Sequence, residues 1–98
     1  MKQYMVDFTL PSKLSDDFVS LIGEQRAKVN QLFMQGVLVS YSLALENGKL
    51  WAIFRAESEA DLLETVMQLP LTSQMKLRYH ELTFYNAAHS YMAAFSVN

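Results

Sequence analysis

Residues 2–10 alternate between apolar Tyr4, Val6, Phe8 and Leu10 and the more polar set Gln3, Met5, Asp7 and Thr9, the two-residue period of a half-buried strand. Pro11 removes a backbone donor and ends the ladder, and Ser15 followed by Asp16 and Asp17 reads as a helix N-cap with acids against the helix dipole. The period then changes to three and four. Phe18, Leu21, Ile22, Val29, Leu32 and Phe33 form the apolar stripe of one long amphipathic helix, with Gly36 as its left-handed stop. Residues 37–45 and 50–56 are strand-like runs on either side of Glu46-Asn47-Gly48-Lys49, and Asn-Gly between two such runs predicts a hairpin. Ser58 with Asp61 resembles a capping box, Leu62, Leu63, Val66 and Leu69 give a second helix its stripe, and Pro70 closes it. Residues 75–84 alternate again, with Met75, Leu77 and Tyr79 against Lys76, Arg78 and His80.

The order β-α-β-β-α-β predicts an α+β, ferredoxin-like sandwich spanning residues 1–84. A C-terminal tail, residues 85–98, is expected to pack on the domain or on a neighbouring subunit through Tyr91, Met92 and Phe95. Right-handed crossovers put both helices on one sheet face. The other face carries Met5, Asp7 and Thr9, then Ser40, Ser42 and Ala44, then Trp51, Ile53 and Arg55, then Lys76, Arg78 and His80, with a one-residue slip open in the second and third strands. A face this mixed is too apolar to leave bare and too polar for a dry core. It predicts a homo-oligomer, at least a dimer, paired through the sheet.

Composition narrows the function classes. A formal net charge of −2 and the absence of an aromatic Gly-Phe strand motif argue against nucleic acid. With no cysteine, thiolate chemistry is excluded, and with His80 and His89 the only histidines, no spacing suggests a metal site. No apolar run has signal-peptide or membrane-spanning form, so the expected location is cytoplasmic, with no membrane partner. Three glycines and no Gly-x-Ser-x-Gly leave no phosphate cradle and no nucleophile elbow.

At Met67-Gln68-Leu69-Pro70-Leu71, with Met75 four residues on, the sequence resembles the muconolactone Δ-isomerase family. Leu10-Pro11, Arg26, Leu32, Gly36 and Trp51-Ala52-Ile53-Phe54 fall in step with it. The resemblance implies subunits joined as dimeric α+β barrels, no cofactor or metal, and a proton shift along a small carboxylate-bearing lactone. The chain departs from the family pattern in three places. Ser42 and Leu43 stand where the family has a Trp-Arg pair, Thr72-Ser73-Gln74 replaces its aromatic-proline pair, and Gln25 aligns with its acidic residue, with Glu24 adjacent.

A 1,3-proton shift needs a group to take the proton, a donor to return it, and donors or cations around the enolate oxygen. The candidate proton carriers are Asp7, Glu24 and His80. Arg26, Arg55 and Arg78 are candidate ligand-binding cations, these six could line one cavity, and Trp51 is a candidate apolar wall. Each has an ordinary role beside this one: Asp7 as a salt-bridged strand residue, Glu24 and Arg26 as a charged helix face, His80 with Arg78 and Lys76 as an edge-strand row of charge, Trp51 as packing. Gln25 is no base, because an amide does not titrate. Two functions stay open, a cofactor-independent isomerase and a non-catalytic small-molecule-binding or assembly protein, with a cofactor-free monooxygenase of the same barrel type as a third.

Overall fold

The computed structural model describes residues 1–88. Its elements are β1 (Lys2–Thr9), α1 (Asp16–Ser20), α2 (Ile22–Met34), β2 (Leu38–Ala44), β3 (Lys49–Ala56), α3 (Glu59–Val66) and β4 (Lys76–Glu81). The strands form one open antiparallel sheet in the order β2-β3-β1-β4, with β2 and β4 at its edges. This is the expected ferredoxin-like layout.

The alternation in β1 and β3 puts Tyr4, Val6 and Phe8 beside Leu50, Ala52 and Phe54, all buried under the helices. Val29 and Leu32 of α2, Leu62 and Val66 of α3, and Leu38 of β2 complete the core. Burying a side chain the size of Phe8 or Phe54 contributes roughly 1.5–3 kcal/mol, so these strand residues fix which face is covered. The uncovered face follows from register. Asp7 stands between Trp51 and Arg78, Met5 between Ile53 and His80, and Thr9 between Lys49 and Lys76. Ser42 and Ser40 continue the rows from Trp51 and Ile53 onto β2, after an irregularity between Leu38 and Ser40 that absorbs Val39. The expected face assignments therefore hold, and the slip left open in β2 is a bulge before Ser40.

Three local expectations change. The long helix is two helices meeting at Leu21, where the Leu21 N–H reverts to the carbonyl of Phe18 and the Ser20 hydroxyl donates to the carbonyl of Asp17. Side-chain competition for that turn's carbonyls, with Gly23 just beyond, gives the break a physical cause. Ile22 and Phe33, read as stripe residues, are exposed. The hairpin closes through a 3₁₀ turn at Leu45–Asn47 with only Gly48 left-handed, whereas a two-residue Asn-Gly turn would need positive φ at both positions. α3 stops at Val66, so Leu69 is buried from the following turn and not from the helix, ahead of Pro70.

Both capping expectations are met. Ser15 Oγ accepts from Phe18 N at 3.1 Å, and Ser58 Oγ accepts from Asp61 N at 3.2 Å while Asp61 Oδ2 accepts from Glu57 N. Leu82 N donates to the carbonyl of Gln3, tying the chain after β4 to β1. The tail residues Tyr91, Met92 and Phe95, and His89, lie outside the described residues.

α2 ends in a complete Schellman motif: Gly36 N donates to the carbonyl of Phe33, and Val37 N to that of Leu32. Gly36 has φ +72, and a Cβ there meets nothing nearer than Arg55 Nη1 at 4.0 Å. Gly36→Ala therefore costs conformational energy without a clash, about 1–2 kcal/mol. Urea unfolding should show a lower midpoint with an unchanged slope; an unchanged midpoint would refute the strain argument.

Candidate functional site

α1 and α2 do not press flat on the sheet along their whole length. At their N-terminal end a cavity of about 410 Å³ remains between Phe18, Ile22, Gln25 and Arg26 of the helices, Tyr41 and Leu43 of β2, Leu50 of β3, and Leu71 and Met75 before β4. Leu10, Leu14 and Leu45 close it from the loops. Leu14, Ile22, Leu43 and Leu45 are all exposed in part, so the mouth is apolar as well as the interior. Among the described lining residues, Arg26 alone carries a charge.

Gln25 shapes this cavity. It is 3 % exposed and sits on the stripe of Phe18, Val29 and Leu32, where a polar residue must find partners. Its Oε1 accepts from Leu71 N at 3.0 Å, and its Nε2 donates to Tyr41 Oη at 2.9 Å. One amide thus joins α2, β2 and the Leu69-Pro70-Leu71 turn. That turn is wound by Thr72, whose hydroxyl donates to the carbonyl of Val66 at 2.7 Å. Burial raises the Tyr41 phenol above its ordinary 10.0, with the Gln25 hydrogen bond pulling the other way, so Tyr41 is neutral and protonated at physiological pH.

The candidates named from sequence divide between the two sides of the sheet, and do not line one cavity within the chain. Arg26 lies at the helix–sheet cavity. Glu24, two residues before it on α2, is exposed and outside the lining, because helical positions two apart are turned by about 200°. Asp7 and Arg78 share a second, polar hollow of about 390 Å³ on the uncovered face, with Thr9, Lys49, Lys76 and Leu77. There Asp7 pairs with Lys49 at 3.3 Å, and Lys49 also donates to Thr9 Oγ1 at 2.9 Å. Trp51, 38 % exposed, stands beside Asp7 in register, and His80 beside Met5. Arg55 reaches toward Gly36 and does not line this hollow.

Tyr41 and the structural part of Gln25 were missed from sequence. The signal for Gln25 was present: seven residues after Phe18, four before Val29 and seven before Leu32, it occupies a stripe position. Tyr41 gave no such signal, since a tyrosine within a strand reads first as packing.

Comparison with known proteins agrees with the fold. The muconolactone delta-isomerase family model matches residues 3–88, and the chain belongs to that family. A crystal structure of muconolactone isomerase superposes with a TM-score of 0.71 at 20% identity, covering 88% of this chain and 93% of that one. No curated protein matches the chain. Among the described residues no helix is long and apolar enough to cross a membrane.

Removing the Gln25 amide leaves the buried Leu71 N–H without a partner, a loss of about 1–3 kcal/mol. Gln25→Leu should therefore lower the unfolding free energy by that amount, and Glu24→Ala, on the exposed side of α2, should change it little. Equal effects from the two variants in denaturant melts would show that the amide is not the pin.

Proposed function

We propose that this muconolactone isomerase-like chain binds a small carboxylate-bearing lactone or enol acid in the helix–sheet cavity, with no metal or cofactor. One observation supports this above the others: a single cation, Arg26, among the described residues lining a cavity that is otherwise uncharged and mostly apolar. Apolar walls take the body of a small organic molecule, and a guanidinium offers paired donors that match the two oxygens of a carboxylate. The reaction that suits this binding is a 1,3-proton shift. A base removes the proton beside the carbonyl, the electrons move into an enolate, and a proton returns two carbons along, so nothing is oxidised or reduced. None of the proton carriers suggested by sequence lines this cavity: Glu24 shares α2 with Arg26 but is exposed and outside the lining. Asp7, His80 and Arg78 belong to the uncovered face.

A second reading, binding without turnover, is favoured by the absence of Asp, Glu and His among the described lining residues. It would leave the chain as a carrier or assembly protein with the family fold.

The proposal includes a cytoplasmic homo-oligomer, at least a dimer, formed through the uncovered face. Trp51 and Met5 lie there beside Asp7 and Arg78, with the helices on the other side. An aromatic and charged face of this kind is best matched by a second copy, which presents the same groups in reverse.

Calorimetric titration with muconolactone should give heat in the wild type and in Arg78→Ala, and at least tenfold weaker binding in Arg26→Ala, since a hydrogen bond to a charged group contributes about 1.5–3 kcal/mol. Product formation supports the isomerase, whereas heat without product supports the binding protein. Silence with muconolactone and with aromatic acids alike would sink the proposal. In light scattering the wild type should have at least twice the chain mass and Trp51→Glu the mass of one chain; a monomeric wild type at micromolar concentration would refute the pairing.

A further inference from the structure

We propose that Tyr41 selects the ligand: its hydroxyl proton is reserved for an oxygen acceptor inside the helix–sheet cavity, so the cavity prefers a carbonyl or carboxylate compound to a hydrocarbon of the same shape. This rests on the cavity being the ligand site.

A backbone group sets the orientation of the Gln25 amide. The Leu71 N–H can only donate, so the atom of Gln25 facing it, 3.0 Å away, must be the carbonyl oxygen. That fixes the orientation of the amide. Its other end, Nε2, can only donate, and Tyr41 Oη, 2.9 Å away, must therefore accept. A phenol that accepts along one direction keeps its own proton for another. Among the described residues the Tyr41 hydroxyl donates to no protein group, and Tyr41 is one of the residues that line the cavity.

What surrounds the hydroxyl makes this donor consequential. Of the side chains that line the cavity with Tyr41, Phe18, Ile22 and Leu50 carry no acceptor and Met75 only a weak one, so the competing partners are water and whatever occupies the cavity. A ligand with an oxygen near Tyr41 replaces the water's hydrogen bond. A hydrocarbon expels the water and leaves the donor unpaired, which is how a site built to hydrogen-bond a group rejects the analogue lacking it. Arg26, at the same cavity, can take a second oxygen, which turns a preference for carbonyls into one for acids and lactones. The donor needs no reorganisation on binding, since the Leu71 backbone has already oriented it.

Acetophenone and isopropylbenzene have nearly the same shape and differ by the acceptor, and NMR titration of each measures the preference directly. Wild-type protein should bind acetophenone more tightly. Tyr41→Phe should weaken acetophenone by about tenfold, the range of one hydrogen bond, and leave isopropylbenzene unchanged. Gln25→Glu, measured at pH 8, supplies a carboxylate that accepts from both Leu71 N–H and Tyr41 O–H; with the tyrosine still present and its proton turned away, the preference should be lost. A purely structural tyrosine would not respond to that second change. If both probes bind and their ratio is the same in all three proteins, the inference about Tyr41 is overturned while the cavity stands as a ligand site. If neither probe nor any acid binds, the ligand site fails and the inference fails with it.

Discussion

A backbone N–H buried beneath a helix must be given an acceptor, and in this chain the donor is Leu71 and the acceptor is the side chain of Gln25. The consequences spread from that pair. The Leu69-Pro70-Leu71 turn cannot use strand pairing, because β4 begins only at Lys76, and it lies beyond the end of α3 at Val66. Its other backbone groups pair locally, Leu69 N with the carbonyl of Val66 and Thr72 N with that of Leu69, but without a side chain from α2 the Leu71 N–H would be buried and unpaired. With it, the turn is held against α2, the same amide reaches Tyr41 on β2, and the space between these anchors stays open as a cavity. The hollow is a by-product of three elements meeting at one polar group instead of packing side chain to side chain.

The sheet separates two kinds of surface. On the helix side the open volume is apolar, with Arg26 at its edge; on the other side the hollow around Asp7, Lys49, Lys76 and Arg78 is charged. These environments treat the same functional group differently. A guanidinium against an apolar wall competes with little water for a ligand's oxygen, whereas cations in an open polar basin are already satisfied by solvent and by Asp7, which Lys49 engages. The same sheet can thus offer ligand chemistry on one face and subunit pairing on the other.

How much of this was legible in the sequence depends on what each signal encodes. Alternation in residues 2–10 specified which side of β1 is buried, because one face carried Tyr4, Val6 and Phe8, and register then carried the assignment across to β3 and β4. The capping serines were legible because a cap is a local interaction. The break at Leu21 was not, since it turns on hydroxyl and backbone competition within one turn while the apolar period runs on past it. Site residues were read by residue type, and type does not tell which side of a sheet a side chain joins when the partners come from a helix. Glu24 and Arg26 looked like companions of Asp7 and Arg78, yet the crossover that makes the fold puts four strands between them and the uncovered face. Gln25 was set aside because it cannot titrate. That reasoning was sound for proton transfer and silent on orientation.

The identity of residue 25 therefore carries more than stability. The resemblance to muconolactone isomerases puts an acid at this position, and either an acid or an amide could accept from Leu71 N–H. They differ at the second atom. A carboxylate would accept from Tyr41 as well, drawing the phenol's proton toward itself and leaving the phenol oxygen to face the cavity as a hydrogen-bond acceptor. An amide donates to Tyr41, which reverses the hydrogen bond and releases the phenol's proton toward the cavity. Replacing one oxygen by NH₂ at a fixed pin thus converts the wall from a hydrogen-bond acceptor into a hydrogen-bond donor. The fold is indifferent to the exchange, because the Leu71 contact survives it, and for that reason a chain can keep the family architecture while changing what its cavity asks of a ligand.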